Sequence, residues 1–217
     1  SHGLGFPKNH HLQQSDQGAL VCADWPGPDQ LPVDQPLPES MYLPGRLVPP
    51  DASLDGLIVF AFACYSAGTP QFSDFAHFEQ NQPEELAAQP FVAKLPQHLL
   101  AQGALAFIGH VDRAWDYAFA WSGAGRDITT FTSTLRAILA GKPVGHAFEY
   151  FNHRYCELSR EVTDAELKGK LHQYNIGEPV EVEELVELWL AHNDARAYVV
   201  YGDPFVRLQP DQLIAAQ

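Results

Sequence analysis

The chain has 217 residues, of which 46% are hydrophobic. That is enough for one sizeable core in a single domain spanning 1–217, and it excludes a disordered polymer. Its net charge of −14, from 27 acidic against 13 basic residues, argues against nucleic acid or an anionic membrane as a partner, since both require a basic patch. Three cysteines, Cys22, Cys64 and Cys156, make no disulfide framework and suit a reducing, cytoplasmic compartment.

The first residues, Ser1-His2-Gly3, lead into a polar loop carrying His10 and His11. Two adjacent histidines point in different directions, and no cysteine or carboxylate keeps metal spacing to them, so no metal and no cofactor are expected. Residues 18–23 read as a short apolar strand, ended by Asp24-Trp25-Pro26-Gly27-Pro28. Prolines then recur to Pro50, which marks an irregular surface excursion, with Trp25 read as a packed aromatic. Residues 57–63 form an unbroken apolar run, rich in β-branched and aromatic side chains. It predicts a strand buried on both faces, of the kind found in parallel sheets covered by helices. The run ends on Cys64, followed by the small residues Ser66, Ala67 and Gly68. Open α/β sheets place their sites at such strand ends, although a cysteine after a core strand is also a common packing residue.

Beyond it, Asp74 faces a cleft or, with Ser73, caps a helix. Residues 90–102 predict a helix that Pro96 kinks or opens, with Gly103 ending it. Residues 104–109 predict a second buried strand, leading into His110, Asp112, Trp115 and Asp116. A helix over 130–140 places Phe131, Leu135, Ile138 and Leu139 on one face. Another is expected over 143–150. Thr163-Asp164-Ala165-Glu166 reads as a capping box, so a new helix should start there and run toward Tyr174. Residues 181–192 predict a helix buried through Leu185, Val186, Leu188 and Trp189, and 197–201 a late strand before the Asp203-Pro204 turn. Strands alternating with helices define an α/β protein with a mostly parallel sheet.

The Ser1-His2-Gly3 step upstream of a hydrophobic strand ending in Cys64 resembles the caspase-like cysteine peptidases, in their bacterial gingipain-like and CHAT branch. The stretches SHGLGFP, GALVCADWPGP, FACYSAGTPQFSDFA, PFVAKLPQHLL, GALAFIGHVDRAW and DARAYVVYGDPFVRL are similar to members of that branch, in order, from residue 1 to about residue 208. The resemblance implies a three-layer α/β/α sandwich whose first strands lie upstream of His2 and are lacking here, leaving an apolar sheet edge uncovered. It implies a His2–Cys64 dyad without a third member. It also implies an oxyanion held by the backbone N–H groups of Gly3 and Cys64, and a loop at Trp115 and Asp116 that walls the substrate pocket.

In that chemistry the Cys64 thiolate attacks a peptide carbonyl and His2 protonates the leaving amine. The expected activity is a cysteine endopeptidase acting on a peptide or protein substrate, within a larger bacterial regulatory protein with flanking domains. A strand end, a small-residue turn and a partner imidazole are expected to lower the Cys64 pKa, so that Cys64 reacts ahead of Cys22 and Cys156. An α/β-hydrolase nucleophile elbow is a poorer reading, because Phe62 stands where a small residue is required. The other alternative is a non-catalytic caspase-like interaction module in a signalling protein.

Overall fold

The computed structural model describes residues 2–27, 37–75, 83–121, 125–177 and 179–209. The fold is mixed α/β with small sheets. In chain order the first elements are α1 (Gln13–Asp16), β1 (Leu20–Val21), β2 (Tyr42–Leu43), β3 (Ile58–Phe60), β4 (Gly68–Thr69), β5 (Phe91–Val92), α2 (Lys94–Ala101) and β6 (Ala106–His110). They are followed by β7 (Ala120–Trp121), β8 (Gly125–Arg126), α3 (Thr129–Leu139), α4 (Val144–His172), α5 (Val182–Arg196) and β9 (Tyr198–Gly202). Two compact bodies result. One comprises Ser1–Ser73, Gln82–Ala114 and Val199–Asp203, and the other Asp74–Asn81, Trp115–Tyr198 and Pro204–Gln217.

In the first body the main sheet has three strands in the order β3-β6-β9. β3 and β6 are parallel, with Ile58 opposite Ala106 and Phe60 opposite Ile108. The expectation of a doubly buried strand at 57–63 is corrected. All five residues of β6 are buried, whereas β3 is half-buried along its length and Leu57 is 38% exposed. The central position explains the difference, because among the described residues β3 pairs on one side only. Beside the parallel β3/β6 pair the chain forms three further small sheets, the antiparallel two-stranded ribbons β1/β2, β4/β5 and β7/β8, so the sheets are small and mixed. Phe107 of β6, fully buried, packs with Val48, Ala61, Leu95, Leu99 and Ala104. α2 starts at Lys94 rather than 90, because Phe91 and Val92 pair with Thr69 and Gly68. Pro96 then falls in the first helical turn, where its missing N–H costs nothing.

In the second body, α3 matches its predicted span, but its apolar face is split. Ile138 and Thr134 are buried, while Leu135 and Leu139 are exposed. The two helices predicted over 143–150 and from Thr163 are one continuous helix of 29 residues. Thr163 is interior, and its hydroxyl donates to the Ser159 carbonyl one turn back, at 2.8 Å. No Gly or Pro interrupts residues 146–168. Leu158 and Val162 lie on one stripe against Leu188, Ala191 and Ala195 of α5, and that shared burial carries the helix through the capping-box residues. Buried Arg154 donates to the carbonyls of Ala118 and, at 3.1 Å, Tyr117. Among the described residues no helix is long and apolar enough to cross a membrane.

The continuity of α4 has a direct test. A helix starting at Thr163 would accept proline at the next position, its first turn. In the interior the same change removes a hydrogen bond and clashes, costing about 3 kcal/mol. Asp164→Pro should therefore lower the urea midpoint and the Tm substantially. A variant as stable as the parent would mean that the helix is broken there.

Candidate active site

The N-terminal segment is held as an added strand. The Val21 N–H donates to the His2 carbonyl and the Leu4 N–H to the Ala19 carbonyl, each at 2.9 Å. Gly3 and Leu20 are thus a non-hydrogen-bonded antiparallel pair. The N–H of Gly3 consequently points away from residues 18–21, and it donates to no group among the described residues. Cys64 lies against the face of Gly3 that a side chain would occupy. A Cβ placed on Gly3 would sit 1.8 Å from the Cys64 carbonyl oxygen, and one on Gly18, where φ is +77°, would sit 2.0 Å from the Tyr65 carbonyl oxygen. Only glycine permits either approach.

The loop between this segment and β1 is less solvated than its polar sequence suggests. Gln13, Asp16 and Gln17 are buried. Gln13 donates to the Leu86 carbonyl at 2.8 Å, and Gln17 accepts the Phe6 N–H at 2.6 Å. Asp16 accepts from Arg46 at 2.8 and 3.1 Å. Burial is the largest single influence and would raise the Asp16 pKa, but the hydrogen bonds from Arg46, Ser15 and Tyr42 together with the Arg46 charge hold the carboxyl below its ordinary value. His10 lies on the Phe6 ring at 4.8 Å.

A polar network pins the turn that carries Cys64. Tyr65 and Asp112 both adopt left-handed backbone, with φ of 55° and 71°. The Tyr65 N–H donates to the Asp112 carbonyl at 2.7 Å, and the Ala67 N–H to the His110 carbonyl at 3.0 Å. The Asp112 carboxylate accepts the Ser73 hydroxyl at 2.9 Å and the Arg113 N–H at 2.7 Å. Arg113 Nε donates to the Tyr65 hydroxyl at 3.1 Å and its guanidinium pairs with Glu84. The fully buried His110 donates its N–H to Ser66 Oγ at 3.0 Å. Burial pushes the Tyr65 phenol up to about 12. From the sequence, Tyr65 and Arg113 carry no role, and Ser66 is read only as a small turn residue, although its Oγ accepts the His110 N–H. The available signal was His110, Asp112 and Arg113 at the end of a buried strand.

Gly3 places the segment that carries His2 against the Cys64 backbone. The exposed His2 ring packs edge-on against Trp25, 5.0 Å between centroids. The half-buried Cys64 donates its thiol to the Ala114 carbonyl at 3.7 Å. Among the described residues the contacts of the two side chains are these, His2 with Trp25 and Cys64 with the Ala114 carbonyl. Burial pushes the Cys64 thiol up and the Asp112 charge adds to it, while the backbone at Ala114 and the residue's own amide oppose them. That corrects the expected lowering, because at this strand end desolvation outweighs the amide dipoles. Cys22, expected to be buried, is half-buried and lines a cavity with His2 and Trp25.

The remaining candidates belong to the second body. Asp74 is ion-paired with Arg196, and its carbonyl accepts Asn193 Nδ2 at 3.0 Å. The N–H of Trp115 donates to Asp194 Oδ1 at 3.1 Å, and its ring meets Phe75 edge-on at 6.2 Å. Asp74 and Trp115 are therefore both tethered to the last turns of α5. Asp116 is exposed and opens a short 3-10 turn, Asp116–Ala118. A comparison with family models, curated proteins and solved structures finds no match to this chain in any of the three.

The raised thiol sets an order of reactivity, because the thiolate is the species that is alkylated. Exposed Cys156 should be labelled by iodoacetamide before Cys64 at neutral pH. Labelling of Cys64 should increase with pH through a midpoint above the ordinary thiol value of 9.0. The folded chain favours the neutral thiol, so the stability this group contributes is full below that value and is lost as pH rises through the raised pKa. Peptide mapping after timed alkylation across pH checks the order, and a Cys64 midpoint below 9.0 would reverse it.

Proposed function

We propose that the chain is a cysteine endopeptidase of caspase-like type, working through His2 and Cys64 within a larger bacterial regulatory protein. On this reading β3, β6 and β9 are strands of an α/β/α sandwich. One observation carries the proposal: the Gly3 backbone lies against the Cys64 backbone with its N–H directed off its own strand. That arrangement supports an oxyanion site beside the thiol, where donors must already be in position. His2 is one residue from Gly3, a Cα step of about 3.8 Å. Its edge-on contact with Trp25 is worth about 1 kcal/mol. Turning the imidazole toward the sulfur therefore costs little against the ~8 kcal/mol or more that enzymes remove from a barrier.

The thiol proton passes to the imidazole as sulfur bonds to the peptide carbonyl carbon. The carbonyl oxygen takes the electron pair and is held by the N–H groups of Gly3 and Cys64. Collapse breaks the C–N bond, and His2 gives its proton to the departing amine. Water then attacks the thioester, with His2 taking the water's proton, and the regained thiol closes the cycle. With the resting thiol raised, ionisation belongs to the substrate-bound state.

A second reading, a non-catalytic caspase-like interaction module, draws support from the same raised thiol and from an imidazole engaged with Trp25. Mixed peptides incubated with the parent, Cys64→Ala, His2→Ala and Gly3→Ala proteins separate the two readings. Cleavage by the parent should vanish in Cys64→Ala and His2→Ala. In Gly3→Ala the added Cβ collides with the Cys64 carbonyl oxygen and pushes the N–H out of place, so kcat should drop by about 100-fold or more. Circular dichroism on each variant confirms folding. A parent protein that cuts nothing, or a folded Cys64→Ala that cuts equally well, sinks the peptidase reading and leaves the interaction module.

A further inference from the structure

We propose that the open cavity beside His2 is the subsite for the residue that follows the scissile bond, and that it takes an uncharged apolar or aromatic side chain. This rests on the peptidase reading. The cavity measures about 520 Å³, and its walls include His2, Val21, Cys22, Ala23, Trp25 and Pro26. Position follows from the chemistry. The imidazole protonates the leaving amine, and that nitrogen belongs to the residue after the cleaved bond. A side chain on that residue therefore leaves the reaction centre on the imidazole's side, where the cavity opens.

Selectivity follows from the walls. Among the described residues no Asp, Glu, Lys or Arg lines the cavity, even though the chain carries a net charge of −14. A lysine or arginine side chain would lose hydration there without gaining a counter-charge, and a carboxylate would fare no better. The indole of Trp25 lines the cavity and, once the imidazole turns toward the sulfur, offers an aromatic wall to an apolar or aromatic guest. The acidic surface thus does not determine this subsite. The half-buried Cys22 thiol contributes a soft, weakly polar wall.

Quenched fluorescent peptides that differ only after the cut bond, with cut sites fixed by mass spectrometry, test the inference. With the parent protein, Phe and Leu should exceed Lys and Asp by about tenfold or more in kcat/KM, the scale of a hydrophobic pocket's discrimination. Trp25→Ala should reduce that ratio several-fold. Ala23 is exposed, so Ala23→Asp should fold normally, and it should shift the preference toward Lys by placing a carboxylate at the wall. Cysteine-dependent cleavage with a flat or cationic preference, unchanged by either variant, overturns the subsite and leaves the peptidase reading intact. Absence of any Cys64-dependent cleavage removes that reading and the subsite with it.

Discussion

A carbonyl oxygen occupies the space where residue 3 would carry a side chain, and the same is true at residue 18. These two approaches, to Cys64 and Tyr65, fix where the N-terminal segment and the strand β1 can lie. Neither contact is a hydrogen bond. They are steric permissions, granted because glycine has no Cβ. Once they are met, the rest of the N-terminal region must find its partners around them. Gln13, Asp16 and Gln17 do so by satisfying buried backbone groups and a guanidinium rather than by facing water. On the other flank, Asp112 and Arg113 hold the same turn from the end of β6.

The left-handed Tyr65 and Asp112 show what this clasp costs. Non-glycine residues in that region are held at roughly 1–3 kcal/mol of strain each, and persist only when their surroundings over-determine them. Here a 2.7 Å backbone hydrogen bond links the two strained residues directly. The Asp112 carboxylate is matched by a hydroxyl and an amide. Strain concentrated at a strand end is a feature of sites, and in this body it falls immediately after Cys64.

Much of this was legible in the sequence, and the failures share a cause. The strand β6, helix α3 and strand β9 were visible because each is a self-contained run whose periodicity and stop signals are local. Residues 91 and 92 were misread as helix because their true partner, Gly68-Thr69, lies more than twenty residues upstream. The capping box at Thr163 misled for the converse reason: the signal is local, but the decision belongs to a stripe shared with α5. At the candidate site, His2, Gly3 and Cys64 could be named from type and order. The Cys64 pKa could not, because its sign depends on burial that only the folded chain defines. Cys22 escaped notice as a cavity wall because a strand of two residues buries far less than the six-residue run suggested.

The protonated state of Cys64 also bears on its survival. Peroxides, like alkylating agents, attack the thiolate, and the oxidation ladder from sulfenic to sulfonic acid begins there. A sulfur that is half-buried, raised in pKa and turned toward the Ala114 carbonyl offers little of that species to an oxidant. The desolvation that raises this thiol therefore also conserves it in reduced form.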